Sequence, residues 1–207
     1  MLRYTLGAAL LLLLPSGELA QAATMIEGRL EGQAVEMLAD NETGRVRLTG
    51  PSGTYLVDVA TSEVFALDGS EAKPLALASE PPGRDYTLAA WAPGPQVAGH
   101  ASEYHVLTRA DALCAEVLVS RWMKPFTDVA AQALDLVQRT EGAGAPAAEI
   151  AGCGRIPFSA YASAGWPLMA GEKTRPAFET TSIRFGVPAP AGSLSLPGEA
   201  PAAVSAP

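Results

Sequence analysis

Histidine, cysteine and aromatic side chains are scarce in this 207-residue chain: two His, two Cys and an aromatic share of 6%. That scarcity leaves little material for a metal cage, because zinc sites take three or four ligands at set spacings. His100 and His105 have Glu103 beside them but no neighbouring cysteine. The plainer reading is a solvated strand face, with His100 in a loop. A basic surplus is also missing: 14 Lys and Arg stand against 22 Asp and Glu, for a net charge of −8. An acidic balance without a basic stripe speaks against nucleic acid or an anionic membrane surface as a partner. Few aromatics also means no stacking platform for bases or sugars.

Catalytic patterns are absent as well. No serine sits in a nucleophile elbow, and Gly192-Ser193-Leu194-Ser195 lies where no scaffold is expected. Glu103, Glu116 and Asp128 have no partner acid at a spacing suited to general acid and base work. Gly142-Ala143-Gly144 follows a helix pattern instead of preceding one, so it presents no N–H groups to a phosphate. A non-enzyme without cofactor is the expectation.

What is present starts with the two ends. Arg3, the apolar run Leu6 to Leu14, Pro15 and Leu19-Ala20-Gln21-Ala22-Ala23 have the layout of a secretory signal over residues 1–23, cleaved after Ala22 or Ala23. The apolar run is too short to cross a bilayer. No cysteine follows it, which argues against lipid attachment. From Pro188 onward the chain is rich in Pro, Ala, Gly and Ser, a composition that reads as a disordered tail over 188–207. A single domain over 24–187 remains, exported to the periplasm or secreted. In that setting Cys114 and Cys153 read first as a disulfide, ahead of a thiol nucleophile or metal ligands. Closing a loop of about 40 residues would stabilise the fold by about 4 kcal/mol on the chain-entropy account.

Between the ends, short alternating segments are punctuated by turns. MIEGRLEG and QAVEMLAD form a strand pair or one bent strand with Gly28 and Gly32 as bulge points. RVRLT, TYLVDVA, EVFAL, KPLAL and DYTLAAW follow as a meander in which each strand pairs with the one before. In TYLVDVA, Tyr55, Val57 and Val59 point to one face, and Leu56 and Asp58 to the other. Two more strands, Ser102 to Thr108 and Leu113 to Ser120, flank the turn Arg109-Ala110-Asp111. Phe126, Val129, Ala130, Ala133, Leu134 and Val137 then recur at the spacing of one buried helix face, over Phe126 to Thr140. Pro125 suits the first turn, where its missing N–H costs nothing. After the helix, Trp166, Leu168 and Met169 fit a short strand. Phe178, Thr180, Ser182 and Arg184 alternate with Glu179, Thr181, Ile183 and Phe185 in a last strand that completes the sheet. The fold class is mainly β (α+β): a curved antiparallel sheet or half-barrel covered on its concave face by one main amphipathic helix.

This order of motifs, from VEMLADNETGRVRLTG and TYLVDVATSEVFALDG through VAGHASEYHVL and LCAEVLVSRWM to GWPLMAG and TSIRFGVPAP, resembles the LolA-like periplasmic families. It is most similar to an uncharacterised bacterial domain-of-unknown-function group among them. The resemblance implies an open half-barrel whose apolar concave face is lidded by helices, and in the best understood members that cavity carries lipoprotein acyl chains. One departure is the single strong helix. Another is the absence, around Ala101 and Ser102, of a cysteine common in the uncharacterised group.

Two functions follow. The first is a carrier or sensor that binds an apolar ligand, a lipid or a lipoprotein, between the sheet (Tyr55, Val57, Val59, Phe65) and the helix (Phe126, Val129, Ala133, Val137). The second is a periplasmic interaction or structural module in which the same side chains form a closed core. The volume left between helix and sheet separates the two.

Overall fold

The computed structural model describes residues 22–69, 71–79, 86–140, 149–150, 153–172 and 175–199. The expected signal up to residue 21, the Pro81-Pro82-Gly83 turn, most of the link after the main helix and the last residues of the expected tail lie outside that set.

Six strands succeed one another first: β1 (Ala22–Leu30), β2 (Gln33–Asp40), β3 (Arg45–Gly50), β4 (Gly53–Asp58), β5 (Glu63–Asp68) and β6 (Glu71–Pro74). Then come β7 (Tyr86–Pro93), β8 (Glu103–Arg109) and β9 (Ala112–Ser120). A single 3-10 turn, Arg121–Met123, leads into α1 (Lys124–Gln138). A small hairpin of β10 (Glu149–Ile150) and β11 (Gly154–Arg155), a short helix α2 (Phe158–Ala162), β12 (Trp166–Glu172) and β13 (Arg175–Pro188) complete the order. Eleven strands form one antiparallel sheet in the order β6-β5-β4-β3-β2-β1-β13-β12-β9-β8-β7. The sheet is curved and unclosed, and α1 covers its concave face against β2, β3, β4, β5 and β12. The mainly β half-barrel expected from the sequence is therefore the architecture.

The meander is interrupted once. β6 and β7 are consecutive in the chain but occupy opposite edges of the sheet. β6 is four residues long and ends in Pro74, which has no N–H to offer a further strand, so the sheet stops growing there. The chain then passes the end of α1, where Ala78 N–H donates to Arg139 O (2.7 Å). The last strand also does not close an edge: β13 lies at the centre, between β1 and β12.

Tight turns hold the hairpins. Glu31 and Gly32 (φ 50° and 81°) link β1 to β2, and Ala110 and Asp111 (φ 45° and 63°) link β8 to β9. Both are two-residue turns with positive φ at each position, the geometry whose twist matches paired strands. Gly32 is thus a turn residue, whereas Gly28 sits at a bulge. The β1–β13 register shifts between Glu27 and Gly28, and a Cβ on Gly28 would come within 2.7 Å of Glu179 O.

That bulge changes the reading of β13. Glu27 pairs with Ser182 and Gly28 with Thr180, leaving one extra residue on β13. An extra residue reverses the alternation beyond it. Phe178 and Thr180 are buried before the bulge and Ile183 after it, so the strict two-residue alternation from Phe178 to Phe185 does not hold.

The segment after Pro188 also departs from expectation. Through residue 199 it folds against the convex face, with Leu194 only 6% exposed and grouped with Ala23, Leu38 and Leu56. Two leucines in a Pro- and Ala-rich stretch are enough, because the sheet already presents a matching apolar strip. β4 consequently buries both faces, with Tyr55 and Val57 on the helix side and Leu56 on the other. β1 begins at Ala22, and Ala23 is buried.

Candidate interaction surface

The helix-sheet interior is closed by side chains at the expected lining. Val57 and Ala133 are 0% exposed, Val137 4% and Tyr55 6%, while Val59 and Val129 are half-buried against the same core. Walls of a cavity wide enough for an acyl chain would stay accessible to water. A cleft of about 30 Å³ opens where Leu134 and Val137 meet Leu30, Val35, Leu48 and Tyr55. Sites for small apolar ligands run from about 300 Å³ upward.

Two of the expected lining residues lie elsewhere. Phe65 pairs with Leu56, and Val64 pairs with Val57. Directly paired residues share a face, so Val64 points into the helix-side core and Phe65 packs on the convex face. Phe126 is 44% exposed. The buried stripe of α1 comprises Thr127, Ala130, Ala131, Ala133, Leu134, Leu136 and Val137. Thr127 enters the interior because its hydroxyl donates to Met123 O (3.0 Å), which satisfies it locally. This phase turns Phe126 outward.

Outside, Phe126 meets Phe185 at a ring-centroid distance of 5.0 Å, Phe185 meets Trp122 at 5.6 Å, and Trp122 meets His100 at 5.4 Å. Trp122 is 48% exposed and Phe185 36%. The strands and the helix cooperate to build this surface. Trp122 and Phe126 are four apart across the 3-10 turn and the start of α1, and the β13 bulge brings Phe185 to the helix side. Asn41 Nδ2 donates to Phe126 O (2.9 Å), fixing the first turn of the helix to the β2–β3 turn. Partial burial lowers the His100 pKa, favouring the neutral ring. Arg121 next to Trp122 reaches Glu103 (2.9 Å), and Lys124 Nζ donates to Ser163 O (2.7 Å). Trp122 was within reach of sequence reading through its i, i+4 relation to Phe126. Phe185 was not, because only the bulge reveals its face.

A second aromatic group is internal. Phe158 of α2 meets Phe178 at 4.9 Å and Trp166 at 5.3 Å, and Trp166 meets Phe178 at 5.8 Å. Trp166 Nε1–H donates to Thr180 Oγ1 (2.9 Å), whose hydroxyl donates to Pro167 O (3.0 Å). α2 itself is not visible in the sequence, since five residues are too few to show a period. Asp135 of α1 holds it by accepting from Ser159 N–H at both carboxylate oxygens (3.1 Å each). Burial raises the Asp135 pKa, opposed in part by that hydrogen bonding.

The chemistry-bearing residues are accounted for as structure. Cys114 and Cys153 are bonded, with Cα atoms 5.7 Å apart, so neither is a free thiol. Tyr86 Oη (2.9 Å) and Arg109 Nη1 (3.2 Å) both donate to Cys153 O, tying the returning segment to the β7–β8 edge. His105 is 1% exposed, which corrects the solvated face expected for it; Nε2 lies 3.3 Å from Glu103. Its register partner is Val117, so the face it shares is the apolar one. Among the described residues no three of His, Cys, Asp or Glu gather to hold a metal, and no helix is long and apolar enough to cross a membrane.

No protein-family model matches the sequence, and no curated protein does. Solved structures that are similar include a MucA/MucB complex of Pseudomonas aeruginosa, at 16% identity over 86% of this chain and 56% of that one, with a TM-score of 0.41. MucB alone is similar at 13% identity over 87% and 59%, with a TM-score of 0.38. This chain spans less than two thirds of either. A likeness of that degree assigns neither a family nor an activity, and the LolA-like resemblance stays with its order of motifs.

Proposed function

We propose that this chain is an exported, non-catalytic module that docks a protein partner on the surface formed by Trp122, Phe126 and Phe185, and not a carrier of apolar ligands. The observation that carries the reading is the position of Phe126. The bulkiest apolar side chain of α1 is turned to solvent beside two other large aromatics, while the interior it would have lined is closed. Burying an aromatic side chain is worth about 1.5–3 kcal/mol, so three left partly exposed in one place favour an interaction site. The signal-like leader and the disulfide support export to an oxidising compartment.

The partner that fits is an extended or helical segment with apolar side chains and acidic neighbours. Arg121 and Lys124 flank Trp122 in the chain, giving this turn a positive character in a protein of net charge −8. The Arg121–Glu103 pair is solvent-exposed on both sides and contributes little, so a partner's carboxylate can replace Glu103. Lipid-surface recognition draws on clusters of about four to eight basic residues, more than this turn supplies.

A displayed library of random 12-residue peptides, selected on the purified chain, tests the proposal. Enriched peptides should carry apolar and acidic residues, and should lose about tenfold or more in affinity for the Trp122→Ser/Phe126→Ser chain. Vesicles of phosphatidylglycerol and phosphatidylethanolamine should not retain the protein. Peptides that bind the double variant equally well, or vesicle binding that the variant abolishes, would overturn it.

A further inference from the structure

On the convex face, away from the aromatic surface, residues 189–199 lie across the first strands as a strap. Leu194 is buried with Ala23, Leu38 and Leu56, and Leu196 packs partly buried against the same cluster, as Phe65, Leu67 and Val187 do. Glu199 anchors the far end, with its two carboxylate oxygens 2.7 and 2.6 Å from Nη1 and Nη2 of Arg45. That two-pronged contact raises the Arg45 pKa and lowers that of Glu199. Arg45 is positioned for it from below, with Nε 3.6 Å from Asp58, and its Nη1 is also 3.4 Å from Leu194 O.

The way the strap is held differs from the rest of the sheet. Every neighbouring strand is fixed by a ladder of backbone bonds. Among the described residues the strap's own backbone bonds are internal turns: Ser193 N–H to Pro190 O, Ser195 N–H to Gly192 O and Glu199 N–H to Leu196 O. Among the described residues its attachment to the body therefore consists of two leucines, the small Ala189 side chain next to β13, one carboxylate and the Leu194 carbonyl contact. Docking also has a cost, because the Ser193 hydroxyl is buried without a hydrogen-bond partner. A segment fixed by so few side chains, with one unfavourable burial, can exchange with another that presents the same groups.

We propose that the strip formed by Leu38, Leu56 and Phe65, with Arg45 at its end, is a peptide-binding site that the chain's own residues 193–199 occupy in cis. The ligand class is a partner segment with two apolar side chains two residues apart and a carboxylate three residues further on, the pattern of Leu194, Leu196 and Glu199. Arg45 reads the carboxylate through a bidentate contact that a lysine could not make. The strap competes with such a ligand, so it sets a threshold: apparent affinity falls by the fraction of time the site is open.

The test uses the full chain carrying Leu194→Asp, Leu196→Asp and Glu199→Gln together, and a fluorescent synthetic peptide of residues 189–199 as the probe. The released chain should bind the peptide saturably, about tenfold or more tighter than the unaltered chain. Adding Arg45→Lys to the released chain should weaken binding, and a peptide with Glu199→Gln should bind poorly to either. No saturable binding by the folded, released chain would overturn the proposal. So would loss of cooperative unfolding in that chain, because the strap would then be a fixed part of the core and not a displaceable occupant. The single Glu199→Gln chain provides a milder check: it should fold normally and bind the unaltered peptide more tightly than the parent chain does.

Discussion

Two aromatic groups, similar in composition, meet opposite fates in this fold. Phe158, Trp166 and Phe178 are 0–1% exposed and close the junction between α2 and the central strands. Trp122, Phe126 and Phe185 sit at comparable ring distances but keep between 36% and 48% of their surface in water. Ring separation does not distinguish them. Polar provision does: the inner tryptophan has a dedicated acceptor in Thr180, and Asp135 fixes the backbone that delivers Phe158. Among the described residues the outer rings make their ring contacts with each other and with His100. One group is part of the core, and the other is the surface proposed to meet a partner.

The comparison breaks first at its inner member. Phe178→Ala should lower stability by about 3–5 kcal/mol, because truncating a fully buried ring removes its transfer energy and leaves a cavity. Urea unfolding followed by far-UV circular dichroism reads this directly. Next, Thr180→Val preserves shape but removes the acceptor of the Trp166 N–H, and the same titration should show a loss of about 1–3 kcal/mol. By contrast, Phe126→Ser or Trp122→Ser should change stability by about 1 kcal/mol or less, since each loses mainly one edge of a surface contact. A loss as large as that of Phe178→Ala would make the outer group a second core.

The smallest effect concerns pH. Burial raises the Asp135 pKa above its ordinary value of 3.8, so the folded chain holds this proton more tightly than the unfolded chain. The stability it contributes is complete below that ordinary value and is lost as pH rises through the raised one. Asp135→Asn keeps an acceptor for Ser159 but cannot ionise. The variant should therefore show a smaller decline in urea midpoint as pH increases from the acid side, and parallel curves for the two proteins would contradict this assignment.

Sequence patterning made most strands, the main helix and the cysteine pairing legible, because alternation, helical spacing and compartment are local or compositional signals. What it could not reveal depended on phase and on distance. One extra residue opposite Gly28 puts Ile183 and Phe185 on the face that strict alternation assigns to their neighbours. The helix rotates enough to admit Thr127 and expel Phe126, because a threonine hydroxyl can be satisfied within its own turn. The pairing of Leu56 with Phe65 places Phe65 opposite the face expected of it. Leu194 and Leu196 stand in a segment whose composition suggests no packing, and only the apolar strip formed by Leu38 and Leu56 gives them a place. The central position of β13 follows from pairings between distant parts of the chain, which no local pattern encodes.

Helix and sheet pack on each other as a core, and the surface proposed to bind a partner is the aromatic one outside. Titration of the full chain with a fluorescent fatty acid tests the first half most directly. The closed interior predicts no saturable binding, whereas saturable one-to-one uptake of the fatty acid would show an open interior and restore the carrier reading.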